Sequence, residues 1–193
     1  MKNNKNYNFD LAKEMVISVE EDLKDTFYKR SNQIYYKLDN ILKIFKEEKV
    51  STNHFNQSTG SGHDDLSRQK IDNVFAKFFL AEKSAVRMQF VSGTHAISSV
   101  LFGILRPGDL MLSVTGSPYD TLEEVIGIRG KGKGSLLDFG VEYRQISLDE
   151  NTNSYEEKLS AFFKNNNCKL VFIQKSCGYR WRKSLNNSQI KQI

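Results

Sequence analysis

The chain of 193 residues lacks long apolar runs and has few cysteines and histidines. A membrane-spanning helix needs about 20 consecutive, mostly apolar residues, and no apolar run in this sequence approaches that length. The first residues, Met1-Lys-Asn-Asn-Lys, lead into polar sequence rather than into the apolar stretch of a signal peptide. We therefore expect a cytoplasmic protein with no membrane contact.

Metal and disulfide chemistry receive little support from the composition. The two cysteines, Cys168 and Cys177, are too few for a disulfide framework, so we interpret them as buried or incidental thiols. The three histidines, His54, His63 and His95, are not paired at the spacing of metal ligands. No Ser-His-Asp set can be assigned from the sequence either.

Acidic residues are missing from residues 168–193, although the chain as a whole mixes 28 basic with 23 acidic residues. This segment suits nucleic acid, a pocket for phosphate and carboxylate groups, or acidic partners elsewhere in the sequence. Its run Ser176–Arg182 combines guanidinium groups with aromatic rings, which suits anion or base contacts or simple surface packing. Six basic residues define the segment: Lys169, Lys175, Arg180, Arg182, Lys183 and Lys191.

The N-terminal third has a helical pattern. Between residues 10 and 49 apolar side chains recur every three or four positions, which predicts amphipathic helices with a break near Ser31-Asn32. The polar stretch Ser51–Gly62 predicts an irregular loop, and a helix is expected from about residue 64 to residue 79.

The rest of the chain alternates short apolar runs with helical segments. This alternation predicts an α/β domain with a mainly parallel sheet covered on both faces, and a helical N-terminal arm before it. We place the arm and linker at residues 1–63 and the α/β domain at residues 64–193. A further strand is normally expected after a helix like the one beginning at Ser188, so we expect the domain to be truncated. The predicted strands are Ala85–Val91, Leu110–Val114, Val141–Ile146 and Lys169–Gln174, and the helices between them are 94–105, 118–127 and 154–165.

The sharpest local motif is Gln89–Ile97, in which an apolar run leads through Ser92-Gly93-Thr94 into a helical pattern. Such a turn exposes backbone N–H groups at a helix N-terminus, and glycine lets an anion approach closely. A phosphate site is one interpretation. The other is that Ser92 is an N-cap and Gly93 a tight turn. His95 fits either a local hydrogen bond or a place beside a bound ring.

A second loop, Thr115–Thr121, follows a predicted strand and opens a helix with Pro118 near its start. Loops at the carboxyl ends of parallel strands are where open α/β sheets bind ligands. Tyr119 could present its ring to a flat heterocycle, or it could pack on the protein. The glycine-rich stretch Gly127–Ser135 follows a predicted helix, so it does not match the phosphate loop and is interpreted as a flexible connection.

Taken together, five motifs resemble those of the aluminium-resistance proteins. That family is also described as cystathionine beta-lyase-like or methionine gamma-lyase-like, and has a fold-type I, aminotransferase-like architecture. The resemblance extends from about residue 35 to the end. The motifs are Ser58–Arg68, Gln89–Ala96, Leu105–Asp109, Val114–Gly127 and Gly178–Arg182.

The resemblance implies a pyridoxal 5'-phosphate site and carbon-sulfur lyase activity, that is, beta- or gamma-elimination from a sulfur amino acid. By resemblance, Ser92, Gly93 and Thr94 hold the cofactor phosphate and Tyr119 stacks on its ring. His95 is counted as a further candidate contact of the cofactor. A neighbouring subunit of a homo-oligomer would contribute Arg68. The lysine that binds the cofactor and the aspartate that pairs with its ring nitrogen fall beyond Ile193, so we expect this chain alone to be inactive. The alternative is a non-catalytic module that binds nucleic acid or another polyanion through residues 168–193.

Overall fold

The computed structural model describes residues 8–57, 65–147, 152–176, 181 and 184–193, with the side chains of residues 152–154 excluded. The chain divides into two compact units, Met1–Met88 and Gln89–Ile193. The boundary predicted between residues 63 and 64 lies outside the described residues and stays a prediction.

The first unit begins with one long helix, α1, from Phe9 to Glu47. Asn8 caps it by accepting a hydrogen bond from the backbone N–H of Leu11. The break predicted near Ser31-Asn32 is wrong, because the helix runs through both residues. Serine and asparagine have lower helix propensities than alanine, but both keep the backbone N–H that proline lacks.

The end of α1 is fixed against helix α2, Leu66–Phe78, by lysine contacts to Glu48. Lys77 Nζ lies 2.8 Å from a carboxylate oxygen of Glu48, and Lys70 Nζ donates to the Glu48 carbonyl at 2.5 Å. The hydrogen bond from Lys77 lowers the pKa of the Glu48 carboxyl. A short 3₁₀ helix, Thr52–Phe55, lies between α1 and α2, within the stretch predicted to be an irregular loop.

The segment predicted as the first strand, Ala85–Val91, is irregular, so that prediction is wrong. Its backbone is bound by a side chain, because the N–H of Val86 donates to Asp72 Oδ1 at 2.8 Å. Arg87 binds the same carboxylate through two hydrogen bonds of 2.6 Å each. The guanidinium lowers the pKa of Asp72, which is 8% exposed.

The second unit contains a three-stranded parallel sheet in the order β2-β1-β3. Its strands are β1, Leu110–Ser113, β2, Glu142–Gln145, and β3, Leu170–Phe172, which confirms three predicted strands and their parallel pairing. The helices of this unit are α3, Gly93–Ile104, α4, Asp120–Ile126, α5, Thr152–Asn165, and α6, Asn187–Gln192.

Strand β1 is the centre of the core. Met111 and Leu112 are both 0% exposed and face opposite sides of the sheet, as successive strand residues do. Met111 packs with α3 and α4, whereas Leu112 packs with Tyr155 and Leu159 of α5. The predicted cover on both faces is therefore confirmed.

Within the described ranges, no helix has the length and apolar character that crossing a membrane requires. The same residues hold no cluster of three or more potential metal ligands.

We expect Asp72→Asn to lower the free energy of unfolding near neutral pH by about 2 kcal/mol. This loss is smaller than that for a fully buried ion pair because Arg87 is partly exposed. Since the pKa of Asp72 is depressed in the folded state, its contribution is present above the unfolded value of about 3.9 and is lost as the pH falls through the folded value. Denaturant unfolding at a series of pH values should show the two proteins converging below about pH 4.

Asp39→Asn is the matched control, since Asp39 forms an exposed pair with Lys43. A surface pair contributes about 0 to 1 kcal/mol. A deficit in Asp72→Asn that is equally small, or that persists unchanged in acid, would contradict this account.

Candidate functional site

The loop after β1 is bound to both neighbouring strands. The backbone N–H of Val114 donates to Phe172 of β3 at 3.1 Å, and that of Gly116 donates to Ile146, just after β2, at 2.9 Å. Gly116 has φ +78°, in the left-handed region that favours glycine. The turn after β1 is therefore fixed where the three strands end.

Tyr119 lies at the end of this loop and is the N-cap residue of α4. Its carbonyl accepts hydrogen bonds from the N–H groups of Leu122 and Glu123, and its own N–H donates to Gln174 Oε1 at 3.1 Å. The half-buried ring packs against the core on the α3 and α4 side of the sheet. Pro118, which precedes it, is fully buried and does not belong to α4, so the helix predicted over 118–127 begins two residues later.

Helix α3 begins at Gly93, and Ser92 is its N-cap. Ser92 Oγ accepts a hydrogen bond from the N–H of His95 at 3.1 Å, so the N-cap interpretation of Ser92 is confirmed. The N–H groups of Gly93 and Thr94, in the first turn, have no intrahelical acceptor. A Cβ built on Gly93 meets nothing within 4 Å apart from its chain neighbours and the backbone of its own helix, so the space beside this residue is open.

Thr94 links the start of α3 to α4. Its Oγ1 lies 2.9 Å from Thr121 Oγ1 and 3.4 Å from Tyr119 Oη. The structure therefore brings together Ser92, Gly93, Thr94 and Tyr119, four of the six residues predicted for the site.

His95 and Arg68 are placed differently. The exposed His95 ring meets the Phe90 ring edge-on, with 5.6 Å between centroids. Arg68 lies in α2, in the first unit, where its backbone N–H donates to Asp65 Oδ1. A role for either residue at a cofactor stays a prediction.

Sequence reasoning treated Gln174 only as the end of a strand and Thr121 only as the end of the second loop. Thr121 instead shares a hydrogen bond with Thr94, and Gln174 is 9% exposed and bonded to the loop after β1. The sequence feature that could have identified Gln174 was its position, because it places a polar amide directly after the apolar run Leu170–Ile173.

The glycine-rich stretch Gly127–Ser135 is an irregular connection after α4, as expected. The chain folds back on this helix, because the N–H groups of Leu136 and Leu137 donate to the Val125 and Ile126 carbonyls at 3.0 Å each. Arg129 Nη1 lies 3.8 Å from carboxylate oxygens of both Asp120 and Glu123.

Three of the six basic residues of the C-terminal segment, Arg180, Arg182 and Lys183, lie outside the described residues. Lys175 is exposed, and its Nζ donates to Asn187 Oδ1 at 3.1 Å. Cys168 is a half-buried free thiol, while Cys177 is not among the described residues.

The residues at the start of α3 fit a phosphate group. The positive end of a 12-residue helix carries two first-turn N–H groups, the space beside Gly93 is open, and hydroxyls of Ser92, Thr94 and Thr121 lie nearby. The half-buried ring of Tyr119 carries the hydroxyl that meets Thr94, which suits a phosphate attached to an aromatic ring.

The family model of methionine gamma-lyase matches residues 12–193. The chain belongs to this family. The match begins earlier than the resemblance noticed in the sequence, and it confirms that resemblance.

Several relatives support the same assignment. The chain is 40% identical over 186 residues to the uncharacterized protein YnbB of Bacillus subtilis (strain 168), covering 95% of this chain and 44% of that protein. It superposes with a TM-score of 0.83 at 42% identity on a candidate cystathionine beta-lyase involved in aluminum resistance from Listeria innocua, covering 94% of this chain and 44% of that chain. A carbon-sulfur lyase involved in aluminum resistance from Clostridium novyi NT gives a TM-score of 0.82 at 38% identity, covering 94% of this chain and 43% of that chain.

The chain therefore spans less than half the length of these family members. The shared part includes the helical arm and the small parallel sheet.

A buried tyrosine supports the loop after β1 from the α5 side. The hydroxyl of Tyr155 donates to the carbonyl of Val114, and burial raises the pKa of Tyr155 to about 12. The proton that this hydrogen bond needs is thus retained well above neutral pH.

We expect Tyr155→Phe to destabilise the chain by about 1 to 3 kcal/mol, because it leaves a buried carbonyl without its donor. The raised pKa adds stability that is complete below the unfolded value of about 10 and is lost as the pH rises towards about 12. Tyrosinate absorbance during an alkaline titration should show a late-titrating tyrosine in the wild type that is lost in the variant. An early titration of all eight tyrosines in the folded wild type would contradict the prediction.

Proposed function

We propose that this chain forms the phosphate-binding part of a pyridoxal 5'-phosphate site in a fold-type I carbon-sulfur lyase. The observation that supports the proposal is the convergence of the α3 N-terminus, the Thr94 and Thr121 hydroxyls and the Tyr119 ring. The family and the relatives named for carbon-sulfur lysis support the same chemistry.

In this proposal the N–H groups of Gly93 and Thr94 donate to the phosphate. The α3 dipole stabilises its negative charge without a buried ionised side chain. Within the Thr94–Thr121 pair one hydroxyl donates to the other, so the remaining hydroxyl proton is available to a phosphate oxygen.

Tyr119 is proposed to lie against the cofactor ring. Its backbone is held on both sides, by Gln174 at the N–H and by α4 at the carbonyl, so the ring is positioned before a ligand arrives. When bound, pyridoxal phosphate supplies an electron sink for the carbanion at the substrate alpha carbon, which permits beta- or gamma-elimination. The chain's own groups orient that reactive ring.

The substrate of the whole protein is proposed to be a sulfur amino acid, and the whole protein is proposed to be a homo-oligomer in which Arg68 reaches a neighbouring site. The relatives are more than twice as long as this chain. Binding of the phosphate group is the part of the proposal that these residues test directly.

We expect Gly93→Ala to weaken binding of pyridoxine 5'-phosphate by about tenfold, or about 1.4 kcal/mol. The added methyl group would occupy the open space beside the first-turn donors, and Gly93 does not have the positive φ that strains other residues. Pyridoxine 5'-phosphate is the suitable probe because, without an aldehyde, it cannot react with the lysines. Equilibrium dialysis or isothermal titration calorimetry measures the affinity.

Gly103→Ala is the matched control, because Gly103 lies in the same helix and its added Cβ also meets no atom within 4 Å. We expect it to bind like the wild type, and unphosphorylated pyridoxine to bind much more weakly than the phosphate ester. Equal losses in the two alanine variants, or equal affinities for the two ligands, would refute a phosphate site at α3.

A further inference from the structure

Gln174 is a buried amide at the carboxyl end of β3, and its contacts tie together residues that are distant in sequence. Its backbone N–H donates to Thr115 Oγ1 at 3.0 Å, across 59 residues, and its Oε1 accepts from the Tyr119 N–H at 3.1 Å, across 55 residues. Its Nε2 donates to the Ser176 carbonyl at 3.1 Å. These bonds involve both its donor and its acceptor functions in a place where water is largely excluded.

The hydrogen bond between the Gln174 side chain and the Tyr119 N–H orients the backbone at Tyr119. The Tyr119 carbonyl is bound by α4 and its hydroxyl meets Thr94, so Gln174 binds the remaining polar group of this residue, its backbone N–H. Pro118 before it is fully buried and fixes its own φ. The plane of the peptide between Pro118 and Tyr119 is therefore set by the side-chain amide of Gln174, just after β3.

The start of α3 is built independently of this amide. Ser92 caps the helix with its side-chain Oγ, which accepts from the N–H of His95, and the space beside Gly93 is open. Loss of the Gln174 amide would disturb the ring side of the candidate site while leaving the first-turn N–H groups of α3 in place.

We propose that Gln174 is a positioning residue, and this inference rests on the proposed function. Gln174 sets the place of the Tyr119 ring. It thereby gives the site its preference for a phosphate that carries a ring over phosphate alone. It acts through Tyr119 rather than on the ligand. The measure of this role is the ratio of two affinities, for pyridoxine 5'-phosphate and for inorganic phosphate. A merely structural residue would change stability or both affinities together.

The test compares the wild type with Gln174→Met, which has a similar shape but neither amide function. We expect its affinity for pyridoxine 5'-phosphate to fall roughly tenfold, the effect of losing about one net hydrogen bond. Inorganic phosphate, followed by the chemical shift of the Gly93 amide, should bind as in the wild type. Gln174→Glu keeps an acceptor for the Tyr119 N–H and should recover most of the affinity.

Gln145→Met is the matched control, since Gln145 ends the neighbouring strand β2 and is exposed. Within the described residues, its side-chain amide accepts a hydrogen bond from the hydroxyl of the half-buried Tyr143. We expect both of its affinities to equal those of the wild type. An unchanged affinity ratio in Gln174→Met, with both affinities kept or both reduced alike, would overturn the proposal while leaving the phosphate site in place. Failure of the wild type to bind either ligand would instead refute the proposed function, and the positioning role with it.

If Gln174→Met folds poorly, a second variant tests the same contact. Gln174→Asn keeps a buried amide but shortens it by one methylene, which withdraws the acceptor from Tyr119. Amide hydrogen exchange at Tyr119 should be faster in this variant than in the wild type, with exchange at Leu112 in the core unchanged. Unchanged exchange at Tyr119 would show that Gln174 does not hold it.

Discussion

The second unit depends on the anchoring of the end of β1 between its two neighbours. Strand β1 is buried on both faces, so its backbone polar groups have only the adjoining strands and nearby side chains as partners. The N–H of Val114 is bound by β3, and the N–H of Gly116 by the residue after β2. Because these bonds fix where the loop turns, they also fix where α4 begins and where Tyr119 lies.

The candidate site is made mainly of uncharged groups. In the proposed site, first-turn N–H groups of α3 and threonine hydroxyls bind the phosphate without the desolvation cost of a buried cation. Charged groups lie around it, as in the contacts of Arg129 with Asp120 and Glu123. A buried carboxylate does occur in the first unit, and there Asp72 is bound by Arg87 and by a backbone N–H, which satisfies the condition for burying a charge.

Sequence reasoning succeeded where the pattern is local. Three short apolar runs became the strands of the parallel sheet, and Ser92 became the cap of a helix. It failed at Ala85–Val91, because an apolar run pairs as a strand only if a neighbouring strand takes its N–H groups. There the N–H of Val86 is taken by Asp72, which lies 14 residues earlier. It also failed at Ser31-Asn32, where neither residue removes a helical hydrogen bond.

By itself the sequence determined the α/β class, the helical arm, the family and the two loops in which ligand contacts were expected, since all of these depend on periodicity, short motifs and turn residues. The tertiary structure decided which of those residues meet. Thr94 reaches Tyr119 and Thr121 because α3 and α4 pack on the same face of the sheet, and Gln174 reaches Tyr119 because β3 lies beside β1. Contacts between residues 25 to 59 positions apart follow from strand order and helix packing, which no local pattern encodes.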